Sequence, residues 1–199
     1  MNYKLVDNRI EFTDEKLTEN STNMISVIST YKFTKYMEQM PDGISILRSN
    51  ETRYTKLDVK NKYLQGVIYM PSKKDIFNHT RFGYLIFNRN ILFIDSSDTV
   101  INIIEQLRHS SIDMPTIWKF YYHFLNMLID RDLLYLQDIE NSLSTFENNL
   151  LDGGIDEYNQ RDIIYIRKKL FNQYRFYTQL FEIEHKLNEV DHITLTPNE

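Results

Sequence analysis

The sequence predicts an α+β fold of the α/β/α type: a mixed or antiparallel sheet with flanking helices, followed by a long antiparallel helical hairpin. Three observations predict it. Short alternating or apolar runs, separated by compact polar turns, recur through residues 3–95. An apolar stripe at Leu125, Ile129, Leu133, Leu136, Ile139, Leu143, Phe146 and Leu150 then keeps helical spacing. A second stripe at Ile163, Ile166, Leu170, Tyr174, Tyr177 and Phe181 answers it across Leu151-Asp152-Gly153-Gly154, a glycine-marked reversal.

Composition narrows the class. Only 5 glycines and 4 prolines occur in 199 residues, which favours long regular elements over loops, and 42% hydrophobic residues suffice for a core. A net charge of −5 provides no overall field to draw the chain to nucleic acid. With 0 cysteines there is neither a disulfide nor a thiolate metal site, and a reducing cytosol is the natural setting. The N-terminal MNYKLVDNRIEF lacks the basic and apolar regions of a signal peptide. Apolar runs such as 91–94 fall far short of the roughly 20 residues that span a bilayer, so the chain is expected to be soluble.

In order, residues 3–6 and 9–12 alternate around Asp7-Asn8 and predict a two-residue hairpin. Residues 24–29 suit a buried strand, and 31–40 a short helix ended by Pro41-Asp42-Gly43. Strands are expected at 52–59 and 63–70, around a Lys60-Asn61-Lys62 turn, and at 82–87 and 91–95, around Asn88-Arg89-Asn90. Ser97 and Asp98 can cap a helix over 99–109 that turns Val100, Ile103, Ile104 and Leu107 inward.

The first hairpin helix is expected to run unbroken over 115–151, with Asp113 as cap and Pro115 in its first turn. Such a helix would reach about 55 Å. Asp156 is the expected cap of the second helix. The arms differ in charge: seven acids face Lys119 and Arg131 over 113–152, whereas 157–189 holds five acids and six bases. Exposed pairs contribute only about 0–1 kcal/mol each, so the apolar stripes must hold the hairpin. The expected division is a sheet domain over 1–112, a hairpin stalk over 113–190 and a tail over 191–199.

At Phe120-Tyr121-Tyr122-His123-Phe124-Leu125-Asn126-Met127-Leu128-Ile129-Asp130-Arg131-Asp132 the sequence resembles the cytosolic part of CorA-type magnesium and cobalt transporters. That segment looks like the family's apolar run leading into paired acids and an acidic helix. Ile166-Arg167-Lys168-Lys169-Leu170, followed by Arg175, is similar to the family's basic second arm. The strand-turn-strand over 83–94 and the hairpin over 53–70 extend the resemblance to about residues 53–190. It implies a cytosolic regulatory and assembly domain of a divalent-cation transporter, at the cytoplasmic face of the membrane and homopentameric in the full-length protein. Family members continue into a further long helix, two transmembrane helices and a Gly-Met-Asn motif. None of these lies in the 199 residues, so the resemblance implies a domain cut before the pore or a soluble relative. The family's acidic stretch before an Arg-Pro pair is replaced by Ile46-Leu47-Arg48-Ser49-Asn50, so its metal carboxylate is not carried over. The alternative is a soluble helical-hairpin module for protein–protein interaction, with no ion role.

The residues offer little chemistry of their own. Mg²⁺ wants carboxylates plus water. On a continuous helix Asp130 and Asp132 point about 200° apart and cannot share one ion. Asp152, Asp156 and Glu157 at the hairpin tip can hold a hydrated cation weakly, but also read as turn and capping acids. His79, His109, His123, His185 and His192 lack zinc-ligand spacing. No phosphate loop or nucleophile elbow occurs, and Glu182, Glu184 and His185 read as a solvated helix surface, so catalysis is not expected. Arg167-Lys168-Lys169 lies near Phe171, Tyr174, Phe176 and Tyr177, but those aromatics are expected mostly on the packing face. No metal, cofactor or catalytic site is therefore assigned.

Overall fold

The computed structural model describes residues 1–18, 20–37, 52–60, 63–130, 132–153 and 157–190. Among the described residues seven strands form one sheet: β1 (Asn2–Val6), β2 (Arg9–Phe12), β3 (Met24–Ile28), β4 (Lys56–Val59), β5 (Tyr63–Pro71), β6 (His79–Phe87) and β7 (Asn90–Ile94). Their order is β2-β1-β3-β7-β6-β5-β4. β3 and β7 pair in parallel, with Ile25 opposite Ile91, and the other described neighbours are antiparallel. Five helices among the described residues accompany them: α1 (Thr30–Met37), α2 (Thr99–Arg108), α3 (Ile117–Leu128), α4 (Asp132–Gly153) and α5 (Glu157–Val190). The chain thus has the predicted α+β class and mixed sheet.

Local turn chemistry sets both tight hairpins. Asp7 and Asn8 take φ of 47° and 65°, and Asn88 and Arg89 take 46° and 62°. Two successive left-handed residues match the right-handed twist of the flanking strands. The second turn is one residue shorter than expected, because Asn90 joins β7. Its buried side chain accepts from Met24 N (3.0 Å) and donates to Ser21 O (2.6 Å), tying β7 to the start of β3.

The sheet is buried on both faces. On one, Phe82, Tyr84, Ile91 and Phe93 meet α2, α3 and the Phe176 and Ile183 side chains of α5. On the other, Met24, Leu85 and Leu92 pack with Leu17 and Phe33. This is why β7 reads as a continuous apolar run: Ile91, Leu92 and Phe93 alternate between two covered faces. All four α2 residues expected inward are buried. The cap differs: Asp98 makes no side-chain cap bond, and the Asp95 carboxylate instead accepts from Val100 N (2.8 Å) and Ser97 N (2.7 Å).

The unbroken helix expected over 115–151 is two helices. Thr116, rather than Asp113, caps α3 by accepting from Lys119 N (3.1 Å), which puts Pro115 ahead of the helix. At the other end the N–H groups of Ile129, Asp130 and Asp132 bond three residues back rather than four. The break has a packing cause. α3 must turn Ile117, Phe120, Tyr121, Phe124 and Leu128 onto the sheet, whereas α4 must turn Ile139 and Phe146 elsewhere. The predicted stripe joined these two faces, and its connecting member Leu133 is 82% exposed.

Asp132, at the start of α4, bonds Gln173 and Tyr177 of α5, while Gly153 and Glu157 lie at the joining ends. The two helices are therefore antiparallel, and α5 runs on past the start of α4 to the sheet edge. There Gln179 Oε1 accepts from Thr55 N (2.8 Å) and Lys186 Nζ donates to Leu57 O (3.1 Å). The predicted α5 stripe is out of phase with this packing. Gln173, Phe176 and Ile183 are buried, whereas Leu170, Tyr174 and Phe181 face outward, the last two 70% and 66% exposed. The tip acids Asp152, Asp156 and Glu157, the turn at Pro41-Asp42-Gly43 and the tail over 191–199 lie outside the described side chains.

Gly66 is opposite Tyr84 in the β5–β6 register, and a Cβ there would strike the Tyr84 ring. Tyr84 is buried with its ring centroid 5.2 Å from that of Tyr121, and a close-packed interior resists its withdrawal. Gly66→Ala is expected to cost about 1–3 kcal/mol by overpacking. Urea unfolding followed by circular dichroism measures it, and an unchanged midpoint would refute the contact.

Candidate functional site

The described residues form one buried ionic node. Lys73 comes from the turn between β5 and β6, Asp132 begins α4, and Gln173 and Tyr177 stand one turn apart on α5. The Tyr177 hydroxyl donates to Asp132 Oδ2 (2.6 Å), and Gln173 Nε2 donates to the same oxygen (3.1 Å). Lys73 Nζ forms an ion pair with Asp132 Oδ1 and donates to the Asp130 carbonyl oxygen (3.3 Å). The α4 N-terminus adds a favourable dipole to the carboxylate. Burial first, and then the bond to Asp132, push the Tyr177 hydroxyl well above the ordinary 10.0.

This arrangement answers the question posed by the two acids. Only the Asp132 carboxylate meets a cation, the Lys73 ammonium; Asp130 contributes its backbone carbonyl oxygen rather than its side chain. An ammonium, an amide and a phenol already surround the Asp132 carboxylate, leaving poor access for a hard ion that needs an oxygen shell. Among the described residues no group of three or more His, Asp or Glu is placed to hold a metal. His79 stacks on Tyr69 (4.5 Å), and His109 approaches Glu105 (3.8 Å). His123 lies half-buried, its pKa held below the usual value by burial and by Lys119. Glu182, Glu184 and His185 are exposed on α5, and His192 is outside the described residues. Lys168 and Lys169 lie over the Phe77 and Tyr165 rings. Phe176 packs and Tyr177 packs in part, but Phe171 and Tyr174 are exposed, against expectation.

A groove of about 470 Å³ separates β4 from the second half of α5. Tyr54, Lys56 and Asp58 line the strand side, and Tyr174, Arg175 and Glu182 the helix side. Lys56 pairs with Asp58 at 3.5 Å. The groove is a cleft beside a covered sheet edge, with charges of both signs. Reading the sequence missed Lys73 and Gln173 as partners of Asp132. The only local signal was Gln173 and Tyr177 four apart on one helix face; the acid they serve is 41 and 45 residues away.

The node makes stability sensitive to alkali. A folded pKa raised above 10.0 means that Tyr177 stabilises the fold fully below that pH, and the contribution is lost progressively as pH climbs from the ordinary value through the raised one. Tyr3, pushed up to about 12 by burial and by Glu105, acts in the same direction. Tyr177→Phe should cost about 1–3 kcal/mol at neutral pH through the bond lost to Asp132. Between about pH 9 and 11 it should lose less further stability than the parent. Thermal melts across that range decide it: parallel curves for the two proteins would refute the assignment.

No protein-family model matches the sequence, and no curated protein matches it. Solved structures match its fold. The complete structure of the CorA magnesium transporter from Methanocaldococcus jannaschii matches with TM-score 0.68 and 18% identity, over 94% of this chain and 61% of that one. The soluble domain of CorA from Methanocaldococcus jannaschii matches with TM-score 0.60 and 18% identity, over 86% of this chain and 72% of that one. The ZntB cytoplasmic domain from Vibrio parahaemolyticus RIMD 2210633 matches with TM-score 0.62 and 13% identity, over 94% of this chain and 78% of that one. The chain thus spans about three-fifths of the complete CorA transporter structure it matches. At these identities the likeness is one of architecture: the chain has the fold of the CorA soluble domain and the ZntB cytoplasmic domain.

Proposed function

We propose that the chain is the cytosolic regulatory and assembly domain of a CorA-like transporter of divalent metal cations such as Mg²⁺ or Co²⁺. The observation that carries this reading is the match to the complete CorA transporter structure over 94% of the chain. In it residues 1–112 are the sheet domain, 113–190 the stalk, and 191–199 a connection toward the membrane part. The domain works at the cytoplasmic face within a homopentamer and has no catalytic step.

Two features support coupling rather than conduction. Among the described residues no helix is long and apolar enough to cross a membrane. The Lys73–Asp132 pair and the bonds from Gln173 and Tyr177 anchor both hairpin helices to the turn after β5, so a shift of the hairpin is felt in the sheet domain. A cation bound better by one packing arrangement than by another would bias the two states by that difference in affinity. The exposed aromatics of α5 favour a second reading, an interaction module with no ion role.

Thermal unfolding with cations tests the first reading. Preferential binding to the folded chain raises its melting temperature by mass action, and about 10 mM Mg²⁺ or Co²⁺ should produce a saturating rise of a few degrees. Buffer free of divalent cations, brought to the same ionic strength with a monovalent salt, is the control. No rise above that control would take cation sensing away from this chain and leave the interaction module.

A further inference from the structure

A small pocket opens between α5 and the C-terminal end of β5. Arg53 from the segment before β4, His79 at the start of β6 and Arg175 of α5 line it, together with the Tyr69 ring and the Gln179 side chain. Its volume of about 30 Å³ admits one or two ligand oxygens and leaves the rest of a ligand toward solvent. None of its described lining residues is acidic. Asp58 and Glu182 line the adjoining groove instead, and Asp58 is already paired with Lys56. Neither Arg53 nor Arg175 takes part in an ion pair among the described residues.

Arg81 adds a third guanidinium. It lies opposite Tyr69 in the β5–β6 register and two residues from His79 on the same sheet face, and the Tyr69 and His79 rings stack. Its Nε and Nη2 atoms are buried and have no hydrogen-bond partner. These two nitrogens form the edge of a guanidinium that grips two oxygens of one oxyanion. An ordinary surface arginine exposes that edge to water. Native interiors leave few buried donors unpaired, and a charged one gives up its hydration with nothing in return. Three guanidinium groups without a carboxylate partner suit a dianion better than a single carboxylate, because several oxygens can accept from more than one of them.

We infer that this pocket binds a phosphate-type oxyanion, free or esterified to a small molecule, held by Arg53, Arg175 and His79 and drawn by the uncompensated charge of Arg81. The site lies within one chain, so it makes no demand on the number of copies. It also stands apart from the transporter reading: a phosphate response without a Mg²⁺ response, or the reverse, separates the two.

Thermal unfolding of the 199-residue protein in buffer free of divalent cations tests it, with inorganic phosphate replacing chloride at constant ionic strength. About 10 mM phosphate should raise the melting temperature by about 2–4 °C, and acetate at the same concentration by less than half of that. Arg53→Gln with Arg175→Gln, both at exposed positions, should abolish the rise. Arg81→Met should weaken phosphate binding about tenfold. In phosphate-free buffer it should melt no lower than the parent, because it removes a charge that no acceptor balances. Arg161→Gln, exposed on α5 outside the pocket, should respond as the parent does. Glycerol phosphate as a second probe distinguishes the sources: the larger of the two shifts marks the anion as esterified or free, and either supports the site. The exposed double variant decides the question if Arg81→Met fails to fold. No rise above the chloride control, an equal rise with acetate, or a full response in the double variant overturns the inference.

Discussion

The buried Asp132 carboxylate is the constraint on which the helical half of this molecule depends. Removing a carboxylate from water costs several kcal/mol unless donors replace the lost hydration. Here the donors come from two places distant in sequence, the turn after β5 and the middle of α5. Satisfying Asp132 therefore fixes where α4 leaves the sheet and which part of α5 returns to meet it. Lys73 is partly solvent-exposed, so the ion pair itself adds little net stability; its main effect is to select one geometry.

Once that register is fixed, α5 is long enough to run beyond the hairpin and cover the sheet. β4 is an edge strand, and an open edge invites pairing with another chain. Gln179 and Lys186 occupy the outward Thr55 N–H and Leu57 carbonyl. One helix thus serves both as a hairpin arm and as the cap on a sheet edge. The buried side of α5 includes Gln173 because the half of α5 beside α4 meets a buried acid rather than an apolar surface.

The parts of the fold legible in the sequence are those decided locally. Asp7-Asn8 and Asn88-Arg89 announce their hairpins because both residue positions must adopt left-handed backbone. The inward residues of α2 are legible because that helix packs on one surface. The break after Leu128 was not, since no glycine or proline marks it. It arises because α3 and α4 pack on different partners, a fact held nowhere in the local sequence. The node was illegible for the same reason. Asp132 was visible as one of two acids, but nothing near Lys73 or Gln173 in sequence connects them to it. The sequence showed that the two acids could not share an ion on a continuous helix, but only the partners show that Asp132 is an anchor.

The misplaced α5 stripe follows from a limit of periodicity itself. A helical repeat of apolar residues shows that some face will be covered, but it does not say by what. In α5 the pattern at Leu170, Tyr174 and Phe181 is a genuine stripe, yet the core takes the side carrying Phe176 and Ile183. Two stripes on one helix require two covering surfaces, and the described residues supply one.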